Sequence, residues 1–272
     1  MLQGRKRSGD VDAVSTDGGA MSPKERRFVV WAPIGVALAI AVLYFVSRKA
    51  YLFVLMDYMV VEDLQFLFYA AAMVLSAVLA RRLWRTGDQK LLAALYGVAA
   101  VGLFFVAGEE VSWGAEVWER IIPWWPEEEK LRQVNAQGEI TVHNLNGLGH
   151  IFTWLLFALA LYGVVSPLLR VGLGRRATRR WVDYVSFPAA TVPALLIAVA
   201  FFVALLFLTG SHSEVQRGSP EQAFLRYQEV AELNISFSIL VFVMLLLRMT
   251  AGPSSSVPRR RWTPVPGPRP PR

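Results

Sequence analysis

Three groups of residues in this chain set carboxylates beside one another, or beside imidazoles, at spacings that permit chemistry. The first is Glu109 and Glu110, in the run Gly108-Glu109-Glu110-Val111-Ser112-Trp113-Gly114. The second is Glu139 and His143, in Gln137-Gly138-Glu139-Ile140-Thr141-Val142-His143-Asn144. On a helix these two stand at i and i+4 and meet on one face, where they could share a proton or coordinate one cation. The third is Ser211-His212-Ser213-Glu214, followed by Glu229, Glu232 and Ser236 on one helical stripe. Carboxylates and imidazoles are the usual general acids and bases, and both bind divalent metals. Candidate catalytic groups are therefore Glu109, Glu110, His143 and His212, and candidate metal ligands are Glu139, His143 and His212. On a straight helix His150 lies about 10 Å beyond His143. A metal held by Glu139 and His143 would then need its other ligands from a separate segment, with His212, Glu109 and Glu110 as candidates. Neighbouring helical residues diverge by about 100°, so one of Glu109 and Glu110 can face a bundle while the other does not. Glu109, Trp113 and Glu116 would share a stripe. Nothing in the spacing fixes a Ser–His–acid geometry at Ser211 or Ser213. Each group also has a plainer reading, as hydrated acids at a helix end or as a structural Glu139–His143 hydrogen bond.

The elements that must position these residues are apolar. Hydrophobic residues make up 54% of the 272, and the mean hydropathy is +0.40. That is too apolar for an ordinary soluble domain. A helix needs about 20 apolar residues to cross a bilayer. Six stretches approach this length: Phe28–Ser47, Leu64–Ala80, Leu91–Gly108, His150–Leu169, Phe187–Gly210 and Glu232–Leu247. The expected fold is an all-α integral membrane protein, a six-transmembrane-helix bundle with an interfacial outer loop between helices 3 and 4. Residues 28–250 form the transmembrane domain. Residues 1–27 read as a disordered basic cytoplasmic tail, and 251–272 as a Pro/Arg-rich cytoplasmic tail of polyproline character. Tyr51–Asp63 is expected to lie along the outer interface before the second span. The connection 109–149 carries Trp113, Trp118, Trp124 and Trp125, with Pro123 and Pro126 breaking any helix there. Tryptophan favours the headgroup layer, so this loop should fold back onto the membrane surface.

Charge sets the orientation. With the N-terminus in the cytoplasm, 21 of the 28 Lys and Arg residues fall on the inner side, whereas 15 of the 21 acids fall outside. Basic residues in short flanking loops resist translocation, so both termini are expected inside the plasma membrane. All three histidines and the three acidic groups then share the outer face. The net charge of +7 averages a basic inner face with an acidic outer one. Insertion accounts for the inner charge, and a nucleic-acid partner is not expected. Anionic lipid headgroups are the expected partner of Arg175–Arg180 and Arg259–Arg261. The first span is longer than a signal-peptide core, and Ser47-Arg48-Lys49-Ala50 is a poor cleavage site. The absence of cysteine excludes disulfides, thiolate metal sites and cysteine nucleophiles. Phosphate-binding glycine loops are missing, as is the internal repeat of many transporters.

The stretch from Gly108 to Asn144 resembles a pattern of bacterial multi-pass membrane proteins of unassigned function. The residues that carry it are Gly-Glu-Glu-Val-Ser-Trp-Gly, then Asn-x-Gln-Gly-Glu, then His-Asn-Leu. Ala115-Glu116 stands here where that pattern has Gln-Arg. The resemblance implies a site without naming its chemistry. The expectation is a Glu/His-lined polar site on the extracytoplasmic face that takes a small ligand, a lipid headgroup or a divalent cation, with hydrolysis as a chemistry it could run. The rivals are a non-catalytic structural membrane protein and, behind it, a transporter.

Overall fold

The computed structural model describes residues 21–55, 60–87, 89–111, 113, 149–172, 179–209 and 226–251. These residues are almost entirely helical. The elements are α1 (Pro23–Val46), α2 (Arg48–Leu55), α3 (Val60–Thr86), α4 (Lys90–Glu110), α5 (Gly149–Gly172), α6 (Arg179–Val185), a 3₁₀ turn (Ala189–Thr191), α7 (Val192–Thr209) and α8 (Gln228–Ala251). Among the described residues, six helical segments are long and apolar enough to cross a membrane. Their surfaces fit that solvent. Phe45 is 84% exposed, Phe207 80% and Val98 71%, alongside many other bare apolar side chains. A water-soluble monomer rarely leaves so much contiguous apolar surface uncovered.

Local chemistry sets the helix ends. Ser22 and Glu25 form a reciprocal capping box, and Pro23 occupies the first turn, where its missing N–H costs nothing. Residues 23–27, read above as part of the tail, therefore belong to α1. Helix α3 carries Glu62 and Asp63 in its first turn and Arg85 in its last, each complementing the helix dipole. It ends at Gly87, whose φ of 79° is left-handed and lets the chain turn directly into α4. That short connection makes α3 and α4 antiparallel neighbours.

Two expectations change. Tyr51 and Leu55, in the segment expected along the outer interface, pack into the protein, while Leu52 and Phe53 stay exposed. Tyr51 and Leu55 are buried in a cluster with Ala37, Ile40, Val61, Val230 and Leu233. Helix α3 then begins at Val60, so Glu62 and Asp63 are part of it. The fifth span also starts later than Phe187: its helix α7 begins at Val192, after a break at Ser186–Thr191 where Pro188 cannot continue the ladder from α6. Neighbouring helices satisfy the freed backbone groups. The Ser166 hydroxyl of α5 accepts from the Phe187 N–H at 3.0 Å, and the Tyr162 hydroxyl donates to the Val185 carbonyl at 2.7 Å. The Tyr96 hydroxyl of α4 donates to the Tyr184 carbonyl. A bilayer tolerates broken helices where protein groups take over the lost bonds in this way.

Helix α8 is the axis of the bundle. It packs against α3, α7, α5 and α1. It buries Val230, Ala231, Ile235, Val241, Val243 and Leu246, with Asn234, Ser236 and Ser238 among them. These three polar side chains bond carbonyls of their own helix, at 2.7 Å to Val230, 2.9 Å to Leu233 and 2.7 Å to Asn234. They consume their donors locally and leave small side chains at the helix contacts. Helices α5 and α7 approach closely at Gly163, where a Cβ would overlap Leu195 Cδ1.

The bundle has two chemically different ends. At one, α1 begins and α8 ends, joined by the Glu25–Arg248 ion pair at 2.8 Å. Arg82 of α3 donates to the Leu247 carbonyl at the same end. At the other, α3 and α8 begin and α4 ends, and the acidic residues gather there.

Candidate acidic site

Helices α3, α4 and α8 each bring carboxylates to the second end. Glu62 comes from the first turn of α3, Glu109 and Glu110 from the last turn of α4, and Glu229 and Glu232 from the start of α8. Glu110 interacts electrostatically with Glu232, Glu229, Glu62 and Glu109. Glu229 interacts likewise with Glu232 and Glu62, and with the guanidinium of Arg226. The Tyr69 side chain, two turns beyond Glu62 in α3 and buried, lies in the field of Glu110, Glu232 and Glu229. All five glutamates are half-buried. Carboxylates collected in a partly dry place repel one another, and a nearby cation such as Arg226 or a shared proton relieves that repulsion.

Gln65 anchors the cluster. It sits one turn after Glu62 and is fully buried. Its Nε2 donates to the Glu229 carbonyl at 2.7 Å and to the Glu229 carboxylate at 3.3 Å. The first of these bonds takes up a carbonyl at the head of α8 and locks α3 against it. The other amide atom, Oε1, is buried and has no hydrogen-bond partner among the described residues. Flipping the amide would set its oxygen against two oxygens, so the network fixes this orientation. Gln228 donates to Glu232 at 2.7 Å and holds that carboxylate on its own helix.

The two adjacent glutamates of α4 do diverge. Glu110 lies in the field of Glu62, Glu229 and Glu232, while Glu109 accepts from the Trp113 indole N–H at 2.5 Å. Trp113 does not reach Glu109 along a helical stripe. The helix stops at Glu110, and Trp113 takes a left-handed φ of 54°, unusual for a bulky residue. The turn lays the indole over Gly108, where a Cβ would stand 2.8 Å from three ring atoms. Edge-on contacts to Phe104 and Phe105 hold the ring, with centroids 5.7 and 5.6 Å away.

Of the residues singled out from sequence, Glu109 and Glu110 are at this site. Glu139, His143 and His212 lie outside the described residues, as do Glu116, Glu214 and the run Trp118–Pro126. His150 is the second residue of α5, a helix that starts at the same end as the acids. Among the described residues, no three His, Cys, Asp or Glu side chains are placed to hold one metal ion. Sequence reasoning missed Glu62, Gln65 and Tyr69. Their spacing of three and seven residues was the available signal, a polar stripe entering an apolar helix. Assigning Glu62 to an interfacial segment hid it.

Compared with family profiles, curated proteins and solved structures, the chain matches none of them.

Proposed function

We propose that this chain is a multi-pass plasma-membrane protein, with both termini in the cytoplasm, whose acidic site opens to the extracytoplasmic face and binds a cationic ligand. One observation carries the reading. Four glutamates from three helices lie in one another's field, and one of them, Glu229, is bonded by a fully buried Gln65 whose amide oxygen has no partner among the described residues. A set built only to pack helices would be expected to pair its own groups, because an unmatched buried acceptor is costly. The orientation rests on the charge partition. The basic residues Arg81, Arg82, Arg85, Lys90 and Arg248 belong to the end opposite the acids. The basic run Arg175–Arg180 and the run Arg259–Arg261 are proposed to meet anionic lipid headgroups. Of these, Arg179 and Arg180 open α6, while Arg175, Arg176 and Arg259–Arg261 lie outside the described residues. The likeness of Gly108–Asn144 to bacterial membrane proteins of unassigned function agrees with a site at this face. A hydrolytic role would require His143 or His212 to join Glu110, as general base or metal ligand.

The test is thermal melting of the purified chain in detergent, across a series of calcium, magnesium and ammonium salts at constant ionic strength. The wild type should be stabilised by at least one cation, because a ligand that binds only the folded state raises its melting temperature. Glu110→Gln and Glu229→Gln should each lose that response. Without ligand they should melt higher than wild type, since each removes a like charge from the cluster. A wild type indifferent to every cation, with both variants melting as it does, would return the protein to the rival reading of a structural membrane protein.

A further inference from the structure

Helix α3 carries Arg81, Arg82 and Arg85 near its end, all exposed. Arg82 is engaged by the protein, donating to the Leu247 carbonyl of α8 at 3.3 Å. Arg81 and Arg85 make no hydrogen bond or ion pair with any of the described residues, and Asp88 lies outside them. The pair stands one turn apart on one face, about 6 Å along the axis. Like charges at this spacing repel, and each guanidinium has five N–H donors to place. Leu67, Val74 and Val78 continue the same face toward the other end of the bundle, and they are exposed as well. The five positions fall within about 60° of one another around the helix. An uncovered apolar stripe about 16 Å long therefore ends in two guanidiniums. Trp84, beside them in the chain, is exposed, as suits an indole at the headgroup layer. Lys90, exposed at the first residue of α4 just past the Gly87 turn, adds a further positive charge at this end.

We propose that Arg81 and Arg85 clamp the phosphate of an anionic phospholipid whose acyl chain lies along Val78, Val74 and Leu67. The inference rests on the membrane reading above and is independent of the acidic site. Guanidiniums bind phosphate through paired N–H donors, and at this separation two such forks can share one phosphodiester. The helix dipole favours cations at this end of α3, but it gives two exposed guanidiniums no acceptor. Charge selects among lipids. A choline or ethanolamine headgroup sets its own cation against the arginines, whereas a glycerol headgroup leaves the phosphate charge unopposed. The apolar stripe selects a lipid over a soluble phosphate. It fixes the arginines at the rim of the hydrocarbon layer, where a phospholipid carries its phosphate.

The experiment uses the whole 272-residue chain. It is placed in nanodiscs of phosphatidylglycerol mixed equally with phosphatidylcholine, and the lipid it retains on release is read by native mass spectrometry. Wild type should retain phosphatidylglycerol over phosphatidylcholine by about tenfold or more, the preference expected when two arginines meet an anionic headgroup. The double variant Arg81→Gln/Arg85→Gln should lose most of that preference while melting as wild type does, since neither side chain bonds the described residues. Lys24→Gln/Arg27→Gln removes the same charge from the same end of the bundle, at the start of α1, and should leave the preference intact. Inorganic phosphate added in large excess should not displace the retained lipid. Absence of a preference in wild type overturns the proposal. Equal loss in the two double variants overturns it too, by showing a response to net charge alone. Displacement by inorganic phosphate overturns it in favour of an adventitious ion only. These results leave the membrane reading standing. A chain that stays monodisperse in water, without detergent or lipid, overturns both.

Discussion

Replacing Gly108 by Ala tests how the end of α4 is built. The new Cβ would stand 2.8 Å from Cε3, Cζ3 and Cη2 of Trp113. Carbon atoms prefer about 3.5–4.0 Å, so the ring must retreat by about 1 Å. That ring is tied down on two sides, by its 2.5 Å bond to Glu109 and by edge contacts to Phe104 and Phe105. A hydrogen bond to a charged group contributes about 1.5–3 kcal/mol, and an aromatic pair about 0.5–1.5 kcal/mol. The retreat loses part of each. Against this, Ala is favoured over Gly in a helix by up to about 1 kcal/mol. The net expectation is destabilisation of about 1–3 kcal/mol, read as a melting temperature several degrees lower in detergent. The informative measurement is a double-mutant cycle. In a Trp113→Ala background the clash is gone and only the helix preference remains, so Gly108→Ala should become neutral or stabilising. Equal destabilisation in both backgrounds would show that Trp113 does not cover Gly108, and the account of how Glu109 is held would fall with it.

Gly163→Ala should destabilise the α5–α7 contact by about 1–3 kcal/mol, because its Cβ would overlap the buried Leu195; Leu195→Ala in the same chain should relieve most of that cost in a melting assay. Ser166→Ala should cost about 1–3 kcal/mol, since it strands the Phe187 N–H at the break in the fifth span, whereas Ser166→Thr should retain most of the wild-type melting temperature. The proposed orientation is checked with single cysteines added to this cysteine-free chain. An impermeant reagent applied from outside should label position 218 and spare position 178, and the reverse result would invert the topology.

Much of the architecture was legible in the sequence. A membrane-crossing helix satisfies its own backbone, so a sufficiently long apolar run announces itself without any knowledge of its neighbours. All six expected runs correspond to helical segments in the structure, and the split between a basic and an acidic end follows from their alternation. The divergence of Glu109 and Glu110 was equally local, a consequence of helical geometry. The boundaries of the second span were read less well. Hydropathy starts that span at Leu64, whereas the helix starts at Val60, because acids at a helix N-terminus are favoured by the dipole although they lower an apolar average.

Other features belong to the tertiary structure alone. Nothing in the apolar pattern of Gln228–Ala251 marks it as the central helix. Lipid is as apolar as a neighbouring helix, so hydrophobicity does not separate an inward face from an outward one. The break at Ser186–Thr191 depends on Ser166, Tyr162 and Tyr96, partners from other helices that no local pattern announces. The acidic site depends on register. Gln65 meets Glu229 across 164 positions of sequence, and a shift of one helical turn in either helix would separate them. Spacing alone places carboxylates at helix ends. Which of them lie in one another's field, and which one a buried amide bonds, is decided only when three helices pack.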